Sequence, residues 1–566
     1  MGEDQEKHFI NQINSTDLDI VYAYHDRTKH QLTQYARSLG YMDWASQPNP
    51  FRSYDQTITL NLDHTRVTES PTYDALFTSN NIEPAPMNRE SISRLFYESM
   101  AISAWKEASG NRWSLRVNPS SGDLHPTESY LIAGPIEHLV KTPAVYHYSP
   151  YKHALESRLV LTDEEWNEIS RYVTPDLLLV AFTSIYWRES WKYGERAYRY
   201  CHHDVGHAIG TITFAAAAQG WQTRLVHTVS DDELATLLGL QTQAGIELEH
   251  PDCLLAISPA NTDTLFTEPV INISRPGLAR LKTVVYEGRP NSLSNTHHEW
   301  PIIDTVAAAC RLDNIYSLTK ARDETINNIT KKMFADDRQI SAGKIFRERR
   351  SAVAMDARTS IGKETFYRMM ARVLPHPGNN ILAVLSWRAR ISLAIFIHRV
   401  EGLQSGLYLL VRDPDHESSL RKSLNTDFHW QKPGDCPVSL PLYLLTAGDA
   451  HEAARTICCH QDIAADGAFA IGMLAEFEGS LQQYGAWYYP RLYWETGLIG
   501  QILYLEAEAA GIRSTGIGCF FDDAMHEVLG INDHSWQSLY HFTIGGPVDD
   551  PRIQTLPSYW HLQQDL

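Results

Sequence analysis

The chain is short of positive charge. Lys and Arg number 49 against 68 Asp and Glu, a formal charge of −19 over 566 residues. A surface that must offset phosphate charge is not built this way, so nucleic-acid binding is set aside. Cysteine is sparse as well: seven, an odd number scattered along the chain, make no disulfide framework and fit a reducing compartment. No apolar run suits a bilayer. "DLLLVAFTSIYW" (176–187) is too short, and "ILAVLSWRARISLAIFI" (381–397) carries Arg388 and Arg390 near its centre, so both read as buried elements. The opening "MGEDQEKHFINQ" lacks the basic start and apolar core of a secretory leader, and Glu6 stands where a myristoylation signal has a hydroxyl. There is no low-complexity segment. These absences point to a cytoplasmic protein with no nucleic-acid or membrane partner.

What is present is a globular composition, 43% apolar and 10% aromatic, in a chain too long for one hydrophobic core. A repeat organises it. Gly206 and Gly220 flank "GHAIGTITFAAAAQG", and Gly497 and Gly511, 291 positions on, flank "GLIGQILYLEAEAAG". The same offset, without a gap, pairs Tyr193-Gly194 with Tyr484-Gly485, Asp231-Asp232 with Asp522-Asp523 and Leu238-Gly239 with Leu529-Gly530. A gapless run of landmarks reads as a duplication. Each copy predicts an aromatic loop, a buried Ala-rich helix ending at glycine, a short extended piece, and a helix from two Asp to Leu-Gly. Strand-like "SYLIAG" and "AVYHYSP" precede the first copy, and "LAIFIH" and "GLYLLVRD" the second. The expected architecture is α+β: an extension over 1–80, one domain over 81–290, a helical connector over 291–340 and a second domain over 341–566.

The copies differ in a complementary way. Only the first has "NPSSGDLHP" (118–126), small and hydroxyl residues at the mouth of a predicted strand; these make either an ordinary turn or a cradle for a flat ligand. Only the second has the Gly-x-Gly turn of "STGIGCFFDD", where the offset puts Leu225 and His227 opposite Gly516 and Gly518. The second also has "RERRSAVAMD" (347–356), either a solvated charged helix end or, through arginine plus hydroxyl, a phosphate grip. One half keeps one set and its sibling the other, which predicts a single composite site across a pseudo-two-fold interface.

From Tyr24 onward the chain resembles a tandem fusion of two nitroreductase-fold domains, closest to the SagB/ThcOx-type, azoline dehydrogenase-like branch. The pieces that carry the resemblance are "RVNPSSGDLHPTESYL", "WKYGERAYRYCHHDVGH", "RRS" and "STGIGCFFDDAMHEVLGI". It implies an α+β sandwich holding FMN between two subunits, here fused into an intrachain pseudo-dimer. It further implies that Arg349 and Ser351 hold the FMN phosphate, with Val353 where a second basic residue is usual. Pro119, Ser120 and Ser121 would form the loop against the flavin ring, followed by Asp123, where many relatives have Asn, and His125. Thr496 and Gly497 would approach the flavin N5 edge, and Gly516 and Gly518 the phosphate end. Lys192 and Tyr193 match a catalytic acid/base pair, the ammonium being expected to lower the tyrosine pKa; Gln483 replaces the lysine in the other copy.

The function expected is FMN-dependent hydride transfer, with a heterocyclic, amino-acid-like or peptide-derived small molecule as substrate. Three other readings stay open. One is reduction of nitro or quinone compounds by NAD(P)H, for which the chain shows no dinucleotide fingerprint and needs none. The second is a non-catalytic flavin-fold scaffold in a biosynthetic complex. The third is a metal enzyme using "HHDVGH", where His203 and His207 share a helix face; metal is otherwise not expected.

Overall fold

Strands that are buried along nearly their whole length must be covered on both faces, and four such strands form the centres of two sheets. The computed structural model describes residues 16–64, 70–77, 82–171, 177–259, 273–313, 339–376 and 379–563. Half of the predicted helical connector, at 314–338, lies outside the described residues, as does the start of the chain.

The strands are β1 (Thr59–Asn61), β2 (Ile102–Ala108), β3 (Asn111–Arg116), β4 (Thr127–Ala133), β5 (Ala144–Ser149), β6 (Ala154–Val160), β7 (Leu178–Ser184), β8 (Trp221–Val226) and β9 (His250–Pro259). After them come β10 (Ile391–Ile397), β11 (Gly406–Leu410), β12 (Leu442–Ala447), β13 (Phe469–Glu476), β14 (Arg513–Ile517), β15 (Trp536–Gly545) and β16 (Gln554–Leu556). The first sheet runs β1-β6-β5-β4-β7-β9-β8 and the second β12-β11-β10-β13-β15-β14, so the second repeats the strand order of the first without its edge strand. β4 and β7 are buried along their whole lengths, as are β10 and nearly all of β13. A third sheet, β16-β2-β3, joins the C-terminal stretch to the first half.

The helices follow the repeat closely. α1 (Asp17–Arg27) precedes it. In the first copy lie α2 (Tyr186–Tyr193), α3 (Ala197–Ala217) and α4 (Asp231–Leu238). α5 (Ala342–Glu348) opens the second half, where α6 (Phe477–Tyr484), α7 (Tyr489–Ala509) and α8 (Asp522–Leu529) take the corresponding places. Gly220 and Gly511 follow the long helices with φ of 70° and 74°, and Gly239 and Gly530 cap α4 and α8 in the left-handed region. The N-terminal extension is bound into this frame: α1 packs on the helix Pro301–Ala309, and β1 adds an edge to the first sheet.

α3 and α7 cross in the middle of the molecule. Each is buried on every side, and they touch where neither has a side chain. A Cβ on Gly206 would collide with the Trp494 carbonyl oxygen and come within 2.8 Å of the Gly497 Cα. Glycine is required here for close approach, not for its backbone freedom.

Two expectations change. The 381–397 run is not one buried element: a 3-10 turn at Leu382–Val384 leads to β10, and between them Arg388 pairs with Asp413 and Asp415, both at 2.6 Å. Its charge, once paired, needs no apolar element around it. The Gly-x-Gly of 516–518 is not a turn either. Gly516 lies in β14 opposite Phe542, and a Cβ there would strike the Tyr540 hydroxyl.

We expect Gly206→Ala and Gly497→Ala each to cost about 1–3 kcal/mol through overpacking at the crossing. Gly434→Ala, with open space around its Cβ, should be neutral or stabilising by up to about 1 kcal/mol. Urea-unfolding midpoints compare the three.

Candidate active site

Between the halves lies a cleft of about 770 Å³, a size that accepts a cofactor or a drug-sized ligand. The first half lines it with Pro119, Ser120, Ser121, Asp123, His125 and Tyr193, and the second with Arg349, Ser351, Gly516 and Gly518. Ten of the residues singled out from the sequence are therefore brought together. Lys192, Thr496 and Gly497 are not among the lining residues.

Arg349 ties the two walls to each other. It follows directly on α5, and its side chain crosses into the other half. The guanidinium donates to the carbonyl oxygens of Val117 at 3.3 Å and Arg116 at 3.2 Å, and lies 5.0 Å from the centroid of the Tyr504 ring. Arg349 is only 4% exposed, so this is no solvated helix end. Beside it the Ser351 and Tyr504 hydroxyls are 2.9 Å apart, and the Gly516 N–H donates to that same Tyr504 oxygen at 3.0 Å.

The arginine corner holds more positive charge than the motif announced. Val353 is neutral and 70% exposed, but Lys106 from β2, Arg116 from β3 and Arg513 from β14 also line the cleft. Sequence reading missed Lys106 and Arg513 and gave Arg116 no role, because strands about 400 residues apart bring Arg513 to the other two. Burial, then the neighbouring Arg349 and Arg347, push the Arg350 guanidinium down to about 10; burial does the same to Arg116. Glu508 beside them is pushed up to about 7 by burial, so it neutralises them only in part. Crowded, half-desolvated cations favour an anion. Three buried atoms at the cleft, Arg116 Nε, Asn118 Oδ1 and His125 Nδ1, have no hydrogen-bond partner among the described residues, which suits a ligand with polar edges.

The serine loop is held from beneath. Asp204 on α3 accepts from the Ser121 N–H at 3.0 Å and the Ser121 hydroxyl at 2.9 Å. The Ser120 hydroxyl accepts from the His125 N–H at 2.8 Å. Gly122, Asp123 and His125 all take left-handed backbone, with φ of 61°, 61° and 53°. The serines thus shape the loop, and the unpartnered polar atoms at the cleft belong to Asn118, Arg116 and His125. The Asp123 carboxylate lies 2.9 Å from His125 Nε2. Its side chain is about a third open, but onto the cleft interior, and burial pushes it up to about 7. Near neutrality it is therefore charged only part of the time.

Lys192 and Tyr193 sit directly behind that loop. A Cβ on Gly122 would touch the Tyr193 hydroxyl and approach Lys192 Nζ to 2.9 Å, and Nζ is 5.2 Å from the tyrosine ring centroid. The expected lowering of the tyrosine pKa is not found. Burial, then the nearby Glu189, push it well up, so the phenol stays protonated. Glu189 is itself fully buried and pushed well up by burial, with both carboxyl oxygens lacking a partner among the described residues. Thr496 and Gly497 lie at the α3–α7 crossing instead: the Thr496 hydroxyl is 3.0 Å from His203 Nδ1 and donates to the Tyr493 carbonyl.

The "HHDVGH" side chains diverge. His202 accepts from the Trp494 indole, His203 meets Thr496, Asp204 holds the serine loop, and His207 meets Gln501 and Tyr540. Among the described residues no three His, Cys, Asp or Glu side chains are placed to share a metal ion. The position equivalent to the cleft in the other half, around Leu225 and His227, is filled by Leu312, Arg491 and Trp494, leaving about 10 Å³. That is no more than one water needs. No helix among the described residues is long and apolar enough to cross a membrane.

The Nitroreductase family model matches residues 83–257 and 441–546 of the chain. A protein of Methanocaldococcus jannaschii that bears the nitroreductase name is 22% identical over 165 residues, 28% of this chain and 77% of that one. A crystal structure from Anabaena variabilis assigned to the nitroreductases superposes with a TM-score of 0.65 at 21% identity, covering 94% of this chain and 99% of its own. The microcin synthetase complex of E. coli aligns over 38% of this chain and 76% of its own at 16% identity, with a TM-score of 0.27.

Asp204 supplies a pH test. Burial pushes its carboxyl up from the usual 3.8 to about 7, so between those values the folded chain binds a proton that the unfolded chain does not. Its contribution to stability is full at low pH and is lost as pH rises through that window. Asp204→Asn keeps an acceptor oxygen without a titration. From pH 5 to pH 8 the wild type should lose about 2 kcal/mol more unfolding free energy than the variant, measured by urea denaturation at both pH values.

Proposed function

Because the chain carries nitroreductase-family domain sequence in the nitroreductase fold, we propose that it is an FMN-dependent oxidoreductase with one active site per chain. The site is composite, and the chain is an intrachain pseudo-dimer of two related domains. The observation that carries this reading is the Arg349 bridge, which sets the phosphate-type corner of one half against the serine loop of the other.

The residues present fit the cofactor. Arg349, Arg350, Lys106 and Arg513, with the Ser351 hydroxyl, would hold its phosphate, since arginine and hydroxyl together suit a phosphate monoester. Asn118, Arg116 and His125 offer unpaired polar atoms to its ring system. When bound, FMN supplies two-electron hydride chemistry. The protein's part is to position and to move protons. Asp204 fixes the serine loop, the tyrosines packed on Gly122, Gly516 and Gly518 exclude water, and Tyr193 holds a proton at its hydroxyl beside that loop. Lys192 and Glu189 are the charged and ionisable groups next to it. The match of Lys192 and Tyr193 to an acid/base pair supports dehydrogenation of a small heterocyclic or peptide-derived substrate. A second reading has its own observation. Tyr193, Glu189, Asp123 and Asp204 are all shifted toward their protonated forms, as suits a site that gives protons to an acceptor reduced by NAD(P)H.

The purified chain should contain about one flavin per polypeptide. Arg349→Ala should lower cofactor affinity by about 10- to 100-fold, the worth of a charge-assisted hydrogen bond; two flavins per chain would overturn the single-site reading. Tyr193→Phe should leave flavin content unchanged and cut turnover by about 100-fold or more. Fast bleaching of the flavin absorbance by NADPH or NADH selects the reductive direction, and no bleaching selects the dehydrogenase.

A further inference from the structure

Two cysteines that the function above does not use meet at the edge of the same cleft. Cys519 follows the Gly516–Gly518 wall and lines the cleft, and its sulfur is 2.8 Å from that of Cys459. Both are partly exposed, whereas the other five cysteines are buried. One side chain ties the segment before Cys459 to Cys519: the Gln461 amide donates to the Cys458 carbonyl at 2.8 Å and the Cys519 carbonyl at 3.0 Å. Cys459 and His460 are consecutive non-glycine residues in left-handed backbone, with φ of 56° and 58°. Such strain is held in place by its surroundings, and here it presents one sulfur to the other.

The surroundings also tell the two thiols apart. His30, from the N-terminal extension, accepts the Ala36 N–H on Nδ1 at 2.9 Å, so its proton resides on Nε2. That imidazole acts on Cys519 to favour its thiolate, and Arg196 lies close by, donating to the Gly518 carbonyl at 3.3 Å. The Cys459 thiol and then His30 hold Cys519 below the usual thiol range, while the same sulfur–sulfur contact pushes Cys459 up. One is set up as a thiolate nucleophile, the other as a thiol that reacts second.

We propose that Cys519 and Cys459 form a thiol–disulfide exchange site, with Cys519 as nucleophile and Cys459 as resolving cysteine, acting on small-molecule disulfides that enter the cleft. The Cys519 thiolate attacks one sulfur of R–S–S–R, giving a Cys519–S–S–R mixed disulfide and one R–S⁻. Cys459 then loses its proton to water and attacks the Cys519 sulfur, expelling the second R–S⁻ and closing a Cys459–Cys519 disulfide. Two electrons pass from the cysteine pair to the substrate disulfide. A dithiol restores the pair by the reverse steps. This chemistry does not depend on the flavin reading.

The probe is dithiobis(nitrobenzoate) added to the native, fully reduced full-length chain at pH 6, where an ordinary thiol is almost wholly protonated. The wild type should rapidly release two equivalents of thionitrobenzoate for each reagent molecule consumed, leaving a Cys459–Cys519 disulfide in the peptide map. Cys459→Ser should release one equivalent just as fast and retain the other as a mixed disulfide on Cys519. Cys519→Ser should slow the reaction by about tenfold or more. Equal, slow reaction of both variants, or a wild type that ends as two separate mixed disulfides, overturns the proposal.

Discussion

The crossing of α3 and α7 is the constraint from which the rest follows. Two 21-residue helices buried on all sides can lie backbone to backbone only where both lack a Cβ, at Gly206 and Gly497. That contact fixes how far apart the two sheets stand and how they are turned. It also determines which loops face each other: Asp204, two residues before Gly206, holds the serine loop, and Tyr504, on the far side of Gly497, meets Ser351 and Gly516. Arg349 then closes a gap that the helices have already set.

The asymmetry of the two sides is a packing effect as much as a chemical one. The strand order is the same in both sheets, yet one cleft is open and its counterpart is full. Leu225 and His227 stand where the second copy has Gly516 and Gly518, and these larger groups close the space together with Leu312, Arg491 and Trp494. Arg491 lies over the Trp487 and Trp494 rings, 4.4 and 4.8 Å from their centroids, so the plug is itself well packed.

Much of this was legible in the sequence because its signals were local. Glycine punctuation gave the C-terminal ends of α3 and α7 and the β8–α4 and β14–α8 runs after them, but the aromatic stretches read as loops are largely helical, α3 starting at Ala197 and α7 at Tyr489. The serine loop and the Arg-Ser corner could be named because each is a short motif. What sequence reading missed depended on long-range geometry. Lys106 reaches the cleft from a strand that no motif marks, while Arg116 and Arg513 stand beside marked motifs that say nothing of their meeting. Asp204 was read within a His-rich run, yet its partner is Ser121. The glycines of 516–518 looked like a turn because glycine usually signals one; here they make room for the Tyr540 and Tyr200 rings. The proton state of Tyr193 could not be inferred either, since a neighbouring ammonium is visible in the sequence and burial is not.

The third sheet has a consequence for how the molecule comes into being. β2 is hydrogen-bonded to β16, which pairs Glu107 with Gln554, and Ile553 and Thr555 line the cleft. During synthesis the first sheet, whose last strand ends at Pro259, can collapse well before Gln554–Leu556 has been made. The cleft that the serine loop borders must wait for its wall of Ile553 and Thr555 until the distant strand arrives. Closure of the cleft is thereby postponed until that strand has been made, and a product truncated before it would present the serine loop with its C-terminal wall missing.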